Sequence, residues 1–125
     1  MVCVKLVMKT ESFDSSYEHF EKATIEELEK FLEMYGNEDN LEDNQNESPT
    51  VFEMKKYAEA YKHVRYGGYI VKKPREDYRV SVDTLELQVS YRDAIPLLAE
   101  LGRSADDVDY KFIQKNLVWI RFWWD

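Results

Sequence analysis

The side chains able to move protons, hold metals or act as nucleophiles are few in this chain and poorly spaced for chemistry. His19 and His63 stand 44 positions apart, and neither has a cysteine or second histidine at a spacing that would close a metal site. Both are therefore expected to be structural or surface residues. Glu18 adjoins His19, but neighbouring residues point apart in a strand or helix, so the two do not form a dyad. Cys3 is the single cysteine; it can neither close an internal disulfide nor build a cluster, and it fits a reducing, cytoplasmic compartment. Serine-nucleophile and phosphate-cradling motifs are absent. Acid–base work needs carboxylates whose environments separate their pKa values, and among 25 Asp and Glu residues no pair singles itself out. The reading is non-enzymatic, with no cofactor and no metal.

Charge is more informative. The formal net charge is −8, and residues 1–50 hold thirteen carboxylates against four lysines. From Lys55 to Arg79 the sign reverses, with eight basic residues against three acidic ones. An overall negative field repels nucleic acid and anionic membrane and favours encounter with basic proteins.

The elements that would carry these charges follow from periodicity. Val2, Val4, Leu6 and Met8 alternate as a half-buried strand. Residues 13–16 read as a turn, with a brief strand over Tyr17 to Lys22. Thr24-Ile25-Glu26-Glu27 is a capping box, and Ile25, Leu28, Phe31, Leu32 and Tyr35 recur at helical spacing before Gly36. Residues 37–48 offer only Leu41 to bury, which predicts a mobile acidic loop. A second helix is capped by Ser48 or Thr50, with Pro49 at its start and Gly67-Gly68 at its end. Strands over Tyr69 to Lys73 and Tyr78 to Tyr91 flank a turn, and the apolar phase slips by one near Asp83-Thr84, which predicts a bulge or a break. Ser90 to Leu101 reads as a helix with Pro96 in its first turn or kinking it, and Ser104 to Asp107 as the cap of another carrying Val108 and Phe112. Leu117 to Trp124 reads as a central strand covered on both faces.

The chain has no apolar run near the ~18 residues that cross a bilayer, and no signal peptide is read in it. The expectation is one α+β domain over residues 1–125: a ferredoxin-like βαββαβ antiparallel sheet, helices mainly on one face, and an extra inserted helix.

Two local resemblances accompany this layout. Leu97 to Ser104 followed by Val108 resembles the turn of helix-turn-helix proteins, although Asp106, Asp107 and Asp109 would repel phosphates. Arg65-Tyr66-Gly67-Gly68-Tyr69-Ile70-Val71 resembles, with its order scrambled, the first RNA-binding signature of RRM domains.

The leading expectation is an acidic binding protein that docks on a basic surface of a nucleic-acid-handling protein and blocks it, as small immunity proteins and phage anti-defence proteins do. Its candidate residues are Glu26, Glu29, Glu33, Glu38, Asp39, Glu42, Asp43 and Glu47, standing where phosphates would bind. The alternative is single-stranded nucleic-acid binding by Lys55, Lys56, Lys62, Arg65, Tyr66, Tyr69, Lys72, Lys73, Arg75 and Arg79, where cations interleave with stacking aromatics. A third reading is an enzyme without a familiar motif, for which a cleft holding a perturbed carboxylate or His19 would speak. The aromatic chain end, Trp119 to Trp124, suits core or an interface, and a homodimer is compatible with it.

Overall fold

The structure, a computed structural model, describes residues 5–8, 17–45 and 47–125; Cys3 and the turn expected at 13–16 lie outside them. The described strands are β1 (Lys5–Met8), β2 (Tyr17–Ala23), β3 (His63–Val71), β4 (Arg79–Ser90), β5 (Asp107–Gln114) and β6 (Leu117–Trp123). They form one antiparallel sheet in the order β1-β2-β3-β4-β6-β5. Three helices, α1 (Ile25–Tyr35), α2 (Val51–Ala60) and α3 (Tyr91–Leu101), pack on it.

The fold is α+β with its helices on one face, but the strand order is not the ferredoxin-like one. That fold needs parallel crossovers; here every neighbouring pair is antiparallel. Residues 24–62, with α1 and α2, make an excursion between the adjacent strands β2 and β3, whereas two βαβ units would have separated those strands.

Alternation sets the two faces. Phe20, Val64, Tyr66, Ile70, Val80, Leu85, Leu87, Ile120 and Phe122 are buried beneath the helices, which contribute Leu28, Met54, Leu97 and Leu101. Each such side chain contributes about 1.5–3 kcal/mol on burial. Both Thr24 and Thr50 close full capping boxes with Glu27 and Glu53; Pro49 therefore precedes the cap of α2. Pro96 is the sixth residue of α3, beyond its first turn and solvent-exposed, so the carbonyl four residues back loses only a surface hydrogen bond.

Two boundaries differ from the sequence reading. The second helix stops at Ala60, because Val64 and Tyr66 alternate inward as a strand, and Gly67-Gly68 lie inside β3. The segment after Ser104 is the strand β5 and not a helix: Val108, Tyr110 and Phe112 alternate with charged residues and pair with β6, so the helix-turn-helix resemblance has no second helix.

The bulge expected near Asp83-Thr84 is present. Gly67 pairs with Thr84 and Gly68 with Val82, leaving Asp83 as the extra residue of β4. A second irregularity sits in β2, where Phe20 pairs with Gly68 and Ala23 with Tyr66; Lys22 there has φ of 53°. Bulges re-aim side chains, and these two flank the glycine pair.

Candidate functional site

The acidic candidates all fall in the helical layer. Glu26, Glu29 and Glu33 follow one another along α1, and the rest ride on the connection to α2. Seven of the eight are exposed and Asp43 is half-buried. Glu29, Glu33 and Glu38 line one shallow groove with Lys55, whose ammonium lies 3.5 Å from the Glu29 carboxylate. Residues 24–61 hold eleven carboxylates and three lysines, a balance of −8 equal to that of the whole chain; all other residues sum to zero.

What pins this layer was not legible in composition. Leu41, the one apolar side chain the acidic connection offers for burial, is exposed; Asn40 and Ser48 are buried instead. Beyond Asp83, β4 pairs with β6, but at Val80 no strand among the described residues pairs with that side of β4. The Asn40 side chain occupies it: Nδ2 donates to the Val80 carbonyl (2.6 Å) and the Val80 N–H donates to Asn40 Oδ1 (2.8 Å). Asn37 donates to the Tyr78 carbonyl, and the Tyr69 hydroxyl donates to Gln45 Oε1. The 37–48 connection is thus tied to the sheet at Asn37, Asn40 and Gln45, around a 3-10 turn at Asn40–Glu42.

The basic candidates do not gather. Lys55 and Lys56 belong to α2, whereas Arg65 and Arg79 lie on the face of the sheet away from the helices. Lys72 bonds Glu18 at 2.6 Å, and Arg75 and Arg79 share Asp77. Lys56 sits over Phe52, Lys73 over Tyr78 and Arg79 over Tyr69; Lys62 is exposed. Tyr66 is fully buried, its hydroxyl donating to the Met54 carbonyl at 2.7 Å, and burial pushes its pKa well above the ordinary tyrosine value. It cannot stack on a base.

The face without helices carries a second constellation that sequence spacing did not reveal. A hollow of about 350 Å³ opens above Gly67, lined by His19, Lys22, Asp83, Glu86, Trp119 and Trp123 among others. Its floor is bare because glycine leaves it so, and the two bulges turn Lys22 and Asp83 toward it. Glu86 is buried and accepts from Lys22 Nζ (2.8 Å) and Trp119 Nε1 (3.0 Å). Burial raises the Asp83 carboxyl above the ordinary aspartate range, against the Thr84 hydroxyl, which donates to it at 2.7 Å, and the fields of His19 and Arg121. The terminal aromatics divide by parity: Phe122 and Trp124 are core, Trp119 and Trp123 half-buried on this face.

The stability carried by a raised acid is complete below its unfolded pKa and is lost as pH rises through the folded one. Ionised Asp83 therefore destabilises the fold at neutral pH. Asp83→Asn is expected to melt at a higher temperature than the wild type at pH 7, with the gap closing toward pH 3; an equal or lower melting temperature at pH 7 would count against this account.

No protein family, curated protein or solved structure matches this chain. Among the described residues no helix is long and apolar enough to cross a membrane, and no three His, Cys, Asp or Glu side chains gather as metal ligands.

Proposed function

We propose that this is a non-enzymatic acidic binding protein, acting in the cytoplasm, whose helical layer docks on the basic surface of a nucleic-acid-handling protein and blocks it. One observation carries the reading: the chain's entire charge excess lies in residues 24–61, on one side of the sheet, and among the described residues a single lysine is ion-paired to the eight candidate carboxylates. Charges so displayed speed encounter and set orientation, and their effect falls with salt. Immunity-type and anti-defence-type inhibitors fit this description.

Glu38, Asp39, Glu42 and Glu47 are exposed, so exchanging all four for lysine should leave stability within about 0.5 kcal/mol for each while removing the net charge. Used as bait in a lysate, the wild-type chain should retain a basic protein that DNA displaces and salt elutes; the four-lysine variant should lose it, with association slowed about 10- to 1000-fold. Capture of no basic protein, or equal capture by both baits, sinks the proposal.

The third reading, an enzyme without a familiar motif, draws support from the hollow beside His19 and Asp83. If Asp83→Asn stabilises as expected, the carboxylate is retained at the expense of folding, which is how functional sites behave.

A further inference from the structure

Among the described residues, β5 ends the sheet and pairs only with β6. It runs eight residues without proline or glycine, with one register irregularity between Phe112 and Gln114, and the unpaired N–H and C=O groups of such an edge are a template for a further strand. The helical layer stops short of it. α3 packs on β4 and β6, so Tyr110 and Phe112, opposite the buried Ile120 and Val118, lie beyond the helical layer and stay more than half exposed. Tyr110 is 64% exposed, Phe112 52% and Ile113 43%; on α3, Tyr91 is 51% and Ile95 53% exposed. Tyr91 and Phe112 lie 5.7 Å apart, ring to ring, which joins α3 to the exposed aromatics of β5.

The other face of the same edge says what should cover it. Arg65 pairs across the strands with Glu86, Glu86 with Arg121, and Arg121 with Asp109. Charge alternates along that row and stops at Asp109, whose Oδ2 lies 3.9 Å from Arg121 Nη1. The next strand should bring a cation.

We propose that this strand is β5 of a second copy, paired antiparallel about a two-fold axis at Tyr110. Such an axis stands perpendicular to the sheet and keeps each side chain on its own face. Centred on Tyr110, it sets Asp109 against Lys111 twice, Val108 against Phe112 twice, and Tyr110 against itself. Centred on Val108 or Asp109 it would set aspartate against aspartate, and on Lys111 lysine against lysine, which is destabilising for directly opposed residues. Among centres from Val108 to Lys111, charge therefore selects Tyr110, the one that forms two Asp–Lys pairs. The two α3 axes would stand about four strand spacings apart, ~19 Å. Helices ~10 Å in diameter then leave a trough ~9 Å wide, which Tyr110, Phe112, Tyr91 and Ile95 from both copies fill. The inference is independent of the inhibitor reading, since it uses the opposite end of the sheet.

The test is sedimentation of the full chain from about 1 to about 500 µM. A single dimeric species is expected. Asp109→Lys and Lys111→Asp should each weaken it at least about tenfold, and the double swap should restore it. In a Cys3→Ser background, Tyr110→Cys should form a disulfide-linked dimer on oxidation and Lys111→Cys should not, because only position 110 meets itself. Monomer at every concentration, polydisperse assemblies, indifference to the charge swaps, or cross-linking of both cysteine variants alike would overturn the proposal.

Discussion

A Gly68→Ala chain is expected not to hold the native fold. A Cβ at this position would lie 1.9 Å from the Ser81 carbonyl oxygen, 2.9 Å from its carbon and 3.0 Å from Val82 Cα. All three are backbone atoms, so no side-chain rotation can relieve the contact, and β3 must part from β4 at the pair that holds the sheet together. Overpacking and strain of this kind lie at the far end of single-residue effects, above about 4 kcal/mol, against a total of about 5–15 kcal/mol for a domain. Urea unfolding followed by circular dichroism measures it. Gly67→Ala is the internal control: its Cβ would meet Thr84 Cβ at 3.0 Å and Oγ1 at 3.3 Å, a contact that a few tenths of an ångström of strand adjustment relieves. With the roughly 0.5–1 kcal/mol that removing a strand glycine returns, the net change should stay within about 1 kcal/mol. Similar midpoints for Gly68→Ala and the wild type would mean that the strands do not approach as described.

The second large effect is at Asn40. Leucine has the same branched skeleton but no polar atoms, so Asn40→Leu strands the Val80 N–H and carbonyl that the amide now satisfies. Each buried group left without its partner costs about 1–3 kcal/mol, which gives about 2–6 kcal/mol for the pair. The loss should be accompanied by faster proteolytic nicking between residues 37 and 48, since the same side chain fastens that connection to β4. A melting temperature within 2 °C of the wild type together with unchanged nicking would show that the connection is held by something else.

Periodicity was sufficient where one face of an element meets the core and failed where a partner far along the chain decides. The capping box at Thr24, the stripe of α1 and the phase slip at Asp83 are all local, and each stands where the sequence put it. Gly67-Gly68 read as a helix stop because glycine commonly ends helices; its actual role, admitting the Ser81 carbonyl and flooring a hollow, depends on β4 and β2. The stretch from Ser104 read as a capped helix because Asp106 and Asp107 suit a first turn, although Val108, Tyr110 and Phe112 already alternate with period two. That alternation was the signal to weigh more heavily. The sheet order was beyond reach, since α1 and α2 between β2 and β3 look the same from sequence whether the strands they join end up parallel or adjacent and antiparallel. Of the candidate sites, the acidic set kept its neighbourhood because its members share one contiguous layer. The basic set dispersed because a strand sends successive side chains to opposite faces, and His19, Asp83 and Glu86 met only through pairing.

The segregation of charge also makes the molecule an electric dipole, negative at the helices and neutral behind. A cationic body would exert a torque that turns the helices forward before any atom touches, over a range set by the Debye length of ~8 Å at physiological ionic strength. Pairing about an axis perpendicular to the sheet would add the two moments instead of cancelling them, so the assembly would steer more strongly than either half.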